Sequence, residues 1–191
     1  MMGDSMPDIS IERVYPSNEF ADIFTRYGIF DLYHDCFSKP PYEEQFDAEQ
    51  VYHTFWQYVS HGILLLGRET ESQRCVAFAA ALPLKYERDV SLIVSQHGLN
   101  IEEYWYAADL GVASNYRRHG FANRIVTHMI SEIPVSKIIM RTQEKNFASQ
   151  QCNMKIGFKP IKDMRQLVQA PRTTGDVRKD NRIFLEYVKG R

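Results

Sequence analysis

The chain has no charge excess of either sign. It carries 23 Lys and Arg against 24 Asp and Glu, a formal net charge of -1. Without a global basic field, non-specific binding of nucleic acid is not expected. Long hydrophobic runs are missing too. The longest, residues 75–84, is about half a membrane span and contains Pro83, so no membrane helix is expected. Cysteine is scarce: Cys36, Cys75 and Cys152 are an odd number without metal-ligand spacing, which suits reduced thiols rather than a disulfide framework. Six histidines are scattered without a His-x-x-x-His pair, so no metal is expected. The first five residues offer neither a basic nor an apolar leader segment, which points to the cytoplasm.

What is present is enough for one globular domain with a substantial core: 191 residues, 44% hydrophobic and 13% aromatic. We expect residues 1–191 to form a single domain, with 1–8 disordered. Residues 9–14 alternate as a half-buried strand. Phe20, Ile23, Phe24, Tyr27 and Phe30 then follow at helical spacing, and Lys39-Pro40-Pro41 interrupts the helix. A second amphipathic stretch carries Val51, Phe55, Tyr58 and Val59. Strands are expected over 63–66, 76–82 and 104–112, a helix over 121–133, a strand at 138–140, a helix over 146–156 and a last strand over 182–188. Residues 85–100 fit loop or helix. This order indicates an α/β (α+β) domain on one mixed sheet.

The informative stretch runs from Asp109 to Arg124, where a strand passes through a short loop directly into a helix. No Asp or Glu occurs between Leu110 and Ser131, and Arg117, Arg118 and Arg124 stand at the helix start. Positive charge beside a positive helix dipole is unfavourable by about 0.3–1 kcal/mol per charge. A bound anion, held on free helical N–H groups, would supply the missing negative charge. Gly120 permits a close backbone approach, Ala122 keeps the next turn small, and Gly111 suggests a bulge or a ligand alongside the strand. The segment has neither a P-loop nor a Gly-x-Gly-x-x-Gly pattern, which disfavours nucleotidase and dinucleotide sites.

Arg117-Arg118-His119-Gly120-Phe121-Ala122, following Leu110-Gly111-Val112 and Tyr116, resembles the signature of the GNAT superfamily of acyl-CoA-dependent N-acyltransferases. Asn146 followed by Lys155-Ile156-Gly157-Phe158 resembles a second block of that family. The resemblance implies a mixed sheet splayed around acetyl-CoA, with helices on both faces. It places the pantetheine arm along Leu110, Gly111 and Val112. The pyrophosphate would rest on the amides of Arg117, Arg118, His119, Gly120, Phe121, Ala122 and Asn123, with Arg117 or Arg118 adding charge. Asn146 would bond the pantetheine region, although an ordinary helix cap also explains it.

The implied activity is transfer of an acetyl group to a primary amine by direct attack, on a small-molecule or peptide acceptor, by a monomer or homodimer. Asp109 matches a frequent acidic position of the family and is the candidate base; Glu102 and Glu103 are the others, with Glu103 carried as a second catalytic candidate. The family's tyrosine acid falls on Asn153, which cannot donate a proton in that way. Tyr104, Tyr106 or Tyr187 could replace it in space. A non-catalytic acyl-CoA sensor is the alternative that Asn153 raises. The loop 37–44 could receive a cationic amine or be simply a rigid interhelical loop, and the basic 172–182 segment reads as a solvated hairpin or a contact for an anionic acceptor or the adenosine phosphate.

Overall fold

The structure, a computed structural model, describes residues 8–190. One mixed sheet of seven strands runs in the order β1-β2-β3-β4-β5-β7-β6. Its strands are β1 (Ile9–Val14), β2 (Ile63–Glu69), β3 (Cys75–Pro83), β4 (Tyr104–Val112), β5 (Lys137–Gln143), β6 (Lys159–Pro171) and β7 (Val177–Val188). Only β4 and β5 pair in parallel. The helices are α1 (Phe20–Arg26), α2 (Ile29–Phe37), α3 (Ala48–His61), α4 (Arg88–Gln96), α5 (Phe121–Glu132) and α6 (Phe147–Ile156).

The uninterrupted apolar stretches of β2 and β3 follow from cover on both faces. Leu64, Leu66, Phe78, Ala80 and Leu82 join the core under α1–α4, while Ile63, Leu65, Ala77, Ala79 and Ala81 pack with Ile125, Val126 and Met129 of α5. Three alanines on the α5 side leave room for that helix, and the bulk of β3 points the other way.

Two expectations are corrected, one open segment is resolved and one strand is added. The helix expected through Phe30 breaks at Gly28, which adopts φ 65 and separates α1 from α2. The 85–100 segment holds a 3₁₀ turn and then α4, which buries Val90 and Val94. β6 was not anticipated, because as an edge strand it buries only Met164 and shows no apolar alternation. β7 accordingly starts at Val177, not at residue 182. The segment expected to be disordered lies outside the described residues except for Asp8, whose carbonyl accepts from both the backbone N and Oγ1 of Thr70.

Candidate active site

β4 and β5 pair only from Tyr104↔Lys137 to Ala107↔Met140. Beyond that point β5 stays with β7, through Gln143↔Arg182, and β4 stays with β3, through Val112↔Ala77. The two central strands splay, and a cavity of about 940 Å³ opens between them. Leu110, Gly111 and Val112 form one wall, with their β5-facing side outside the ladder.

At one end of the cavity lies the start of α5. Gly120 takes φ 82 there, preceded by Arg118 at φ 67. No side chain caps this helix and no acidic residue sits in its first turn, so its leading N–H groups and dipole face the cavity mouth without a counter-charge. Arg117, Arg118, Gly120, Phe121, Ala122 and Asn123 all line the cavity. His119 does not; its exposed ring lies 6.1 Å from that of Phe121. The loop is held from outside by Tyr116, whose hydroxyl donates to Glu69 Oε1 at 2.5 Å, and by Asp35, which accepts from the Ser114 backbone N at 2.8 Å. Arg117 Nε donates to the Val112 carbonyl at 3.0 Å.

The two glycines serve different needs. A Cβ at Gly120 would meet nothing within 4 Å, so that position needs glycine for its left-handed backbone. A Cβ at Gly111 would come within 2.2 Å of Phe78 Cε1 and 2.9 Å of Cys36 Sγ. The bare backbone at Gly111 is therefore demanded by core packing beneath the strand, not by a bulge at that residue.

The bulge lies earlier in β4. Ala81 pairs with Ala107 but Ala80 pairs with Asp109, so Ala108 is the extra residue. Plain alternation from Tyr106 would send Asp109 to the α5 face. The bulge turns it to the α3 face instead, where Tyr58 donates to Asp109 Oδ2 at 2.7 Å. Asp109 is half-buried and lines the cavity. Burial pushes its carboxyl above the ordinary value, while the Tyr58 hydrogen bond and the charge of Arg141 oppose that rise.

Glu103 is not brought to this site. It lies in a 3₁₀ turn before β4, exposed, and pairs with Lys137. Glu102, exposed in the same turn, pairs with Lys85 at 3.4 Å. Among the tyrosines considered as acids, Tyr104 donates to Glu186 Oε1 at 2.6 Å and Tyr187 packs on Phe158. Only Tyr106 of the three lines the cavity. Asn153 does line it, 2% exposed, with its amide nitrogen donating to the Ser149 carbonyl at 2.8 Å.

Asn146 caps α6 by accepting from Ser149 N at 3.1 Å, and its amide nitrogen donates to the Tyr42 hydroxyl at 2.9 Å. Sequence reasoning missed Tyr58, Glu87 and Arg141, which also line the cavity. They come from α3, the turn before α4, and β5, and no spacing along the chain links them. Residues 172–182 do turn as a hairpin between β6 and β7, but two of its arginines are buried rather than solvated. Arg172 is 1% exposed and bridges Glu44 at 3.3 Å and Asp180. Glu44 also accepts from Arg182 Nη2 at 2.7 Å. With two arginines on its carboxylate, Glu44 is not free to receive a cationic amine.

No group of three or more His, Cys, Asp or Glu side chains among the described residues is arranged to hold a metal ion. No helix among them is long and apolar enough to cross a membrane.

Comparison with known proteins gives one family and several solved structures of like fold. Residues 26–158 match the model of the acetyltransferase (GNAT) family. Among solved structures, NAA60 of Arabidopsis thaliana in complex with acetyl-CoA is 16% identical at a TM-score of 0.64, covering 96% of this chain and 100% of that one. An N-acetyltransferase from Staphylococcus aureus Mu50 is 14% identical at a TM-score of 0.62, covering 95% and 98%. The ribosomal-protein-S18-alanine N-acetyltransferase from Escherichia coli is 12% identical at 0.59, covering 95% and 94%. At these identities the likeness is one of fold. No curated protein sequence matches the chain.

Proposed function

This chain belongs to the acetyltransferase (GNAT) family, and on that premise we propose that it moves an acetyl group from acetyl-CoA to a primary amine, on a small molecule or peptide, by direct attack. Residues 1–191 act as one catalytic domain in this reading. The observation that carries it is the splay beyond Ala107↔Met140, which leaves Leu110–Val112 outside the β5 ladder, with the Val112 carbonyl held by Arg117, beside an uncapped, acid-free helix start. An acyl-pantetheine arm suits the first and a diphosphate the second. The cofactor set is Leu110, Gly111, Val112, Arg117, Arg118, Gly120, Phe121, Ala122 and Asn123, with Asn146 at the pantetheine end. His119 contributes at most its backbone amide.

An alkylammonium must lose its proton before it attacks, and its unperturbed pKa is about 10.4. Asp109 is the proposed base: it faces the cavity and its proton affinity is raised by burial. The nitrogen lone pair then attacks the thioester carbonyl carbon, the C–S bond breaks, and the thiolate takes a proton. Tyr42 is the proposed donor for that last step. Tyr58, Tyr104 and Tyr116 spend their protons on Asp109, Glu186 and Glu69, whereas the Tyr42 hydroxyl accepts from Asn146 and so retains a proton to give. Asn153 is then not needed as an acid.

Calorimetric titration with acetyl-CoA tests the cofactor site. We expect binding by the native chain and none by Gly120→Glu, which sets a carboxylate where the diphosphate would rest; binding that survives this change removes the site assignment. Release of CoA thiol with a broad amine panel tests turnover, and its absence with every amine, despite acetyl-CoA binding, would leave an acyl-CoA sensor as the better reading.

A further inference from the structure

The charges at the end of the cavity away from α5 do not balance one another. Arg182 and Arg172 share Glu44, and Arg172 also holds Asp180. That group is two cations against two anions, closed on itself. Arg141 stands apart. It lines the cavity, its guanidinium donates to the neutral Gln166 Oε1 at 2.5 Å, and it lies 6.0 Å from the Tyr106 ring centroid. It makes no ion pair among the described residues.

Register places Arg141 opposite Phe184 and Gln143 opposite Arg182, so Arg141 and Arg182 are diagonal neighbours on one face of the β5–β7 pair. The Nε of Arg182 is buried without a partner, in a side chain only 10% exposed. Two guanidinium groups thus face one wall of the cavity with donors to spare. A guanidinium offers a planar fork that fits a carboxylate.

We infer that the acceptor is an amine that also carries a carboxylate, held by Arg141 with Arg182 beside it. This rests on the transferase reading above and specifies its substrate class. The acceptor's amine would lie toward Asp109 and its carboxylate toward β5. Glu87 and Asp109 on the same wall are coupled to Arg141 by charge, yet neither pairs with it directly, so its donors stay available to a substrate carboxylate. The Glu44 cluster adds no free anion to repel the substrate.

The experiment follows CoA thiol release from acetyl-CoA with α-, β- and γ-amino acids, each beside the twin whose carboxylate is a carboxamide. For at least one amine-to-carboxylate spacing, kcat/KM of the acid should exceed that of its amide by about tenfold or more, as loss of one charge-assisted contact implies. Arg141→Gln should raise KM for the acid by about tenfold more than for the amide, closing the gap. A fall in kcat shared equally by acid and amide, with a shifted acidic limb of the pH profile, would mean that Arg141 acts only through Asp109 and would overturn the proposal. Acids that are no better than their amides overturn it too while leaving the transferase intact, and need only the native chain. A chain that binds acetyl-CoA but releases CoA with none of the panel also overturns it. Failure to bind acetyl-CoA at all removes both readings.

Discussion

The Tyr58 hydroxyl reaches Asp109 Oδ2 across 2.7 Å, joining the last turn of α3 to the residue after the β4 bulge. Burial pushes the Tyr58 hydroxyl well above its usual pKa, with the Asp109 charge adding to that rise. The tyrosine therefore stays protonated and acts as a fixed donor. This contact aims the carboxyl that the proposed chemistry needs, and it supplies the first expected outcomes.

Asp109→Asn should lower kcat by about two orders of magnitude or more, a typical contribution of a general base, with little change in acetyl-CoA affinity measured by calorimetry. Glu87→Gln is the comparison: a larger loss there would transfer the base role to Glu87. In the native chain, activity should rise with pH along a limb lying above the ordinary carboxylate value of 3.8, because the base must be ionised and burial holds its proton more tightly.

The same shift has a consequence for stability. Asp109 binds its proton more tightly folded than unfolded, so ionising it as pH rises through its folded pKa costs stability. The cost is absent below the unfolded carboxylate pKa and complete above the folded one. Asp109→Asn removes it. The variant's melting temperature should match or exceed the native value at about pH 8, with the gap narrowing toward about pH 4.

Tyr58→Phe should shift the acidic limb of the activity profile further upward, since the hydrogen bond that favours the Asp109 carboxylate is lost. Its stability cost should be about 1–2 kcal/mol by denaturant titration. An unmoved limb would show that Asp109 does not set that part of the profile.

Gly111→Ala should destabilise by about 1–3 kcal/mol through contact with the Phe78 ring and Cys36. Pairing it with Phe78→Leu should recover part of the loss in thermal melts. Recovery would identify packing, rather than ligand approach, as the reason for glycine at 111.

Arg172→Ala should cost about 3–5 kcal/mol, because it removes a fully buried cation that bridges Glu44 and Asp180, leaving Glu44 with Arg182 alone and Asp180 without an arginine. A shift of that size in the denaturation midpoint would separate this arginine from the solvated hairpin cation that its surroundings in the sequence suggest.

The proposed cofactor end of the site stands out along the chain because its signal is local. Arg117 to Ala122, the lack of acidic residues after Leu110, and the strand before them lie within one short stretch, and a helix start acts on its ligand through its own backbone. The order of most strands and helices was legible for a similar reason, since β2, β3 and α5 bury continuous apolar faces that leave a periodic record. Edge strand β6 leaves no such record. At the proposed acceptor end, only the fold decides. Which face Asp109 takes depends on one extra residue at Ala108, a property of strand pairing that no spacing reveals. Tyr58, Arg141 and Arg182 arrive from α3, β5 and β7, and Glu44 loses its apparent freedom to arginines far along the chain. Long-range convergence and charge pairing belong to the folded sheet and not to any segment of it.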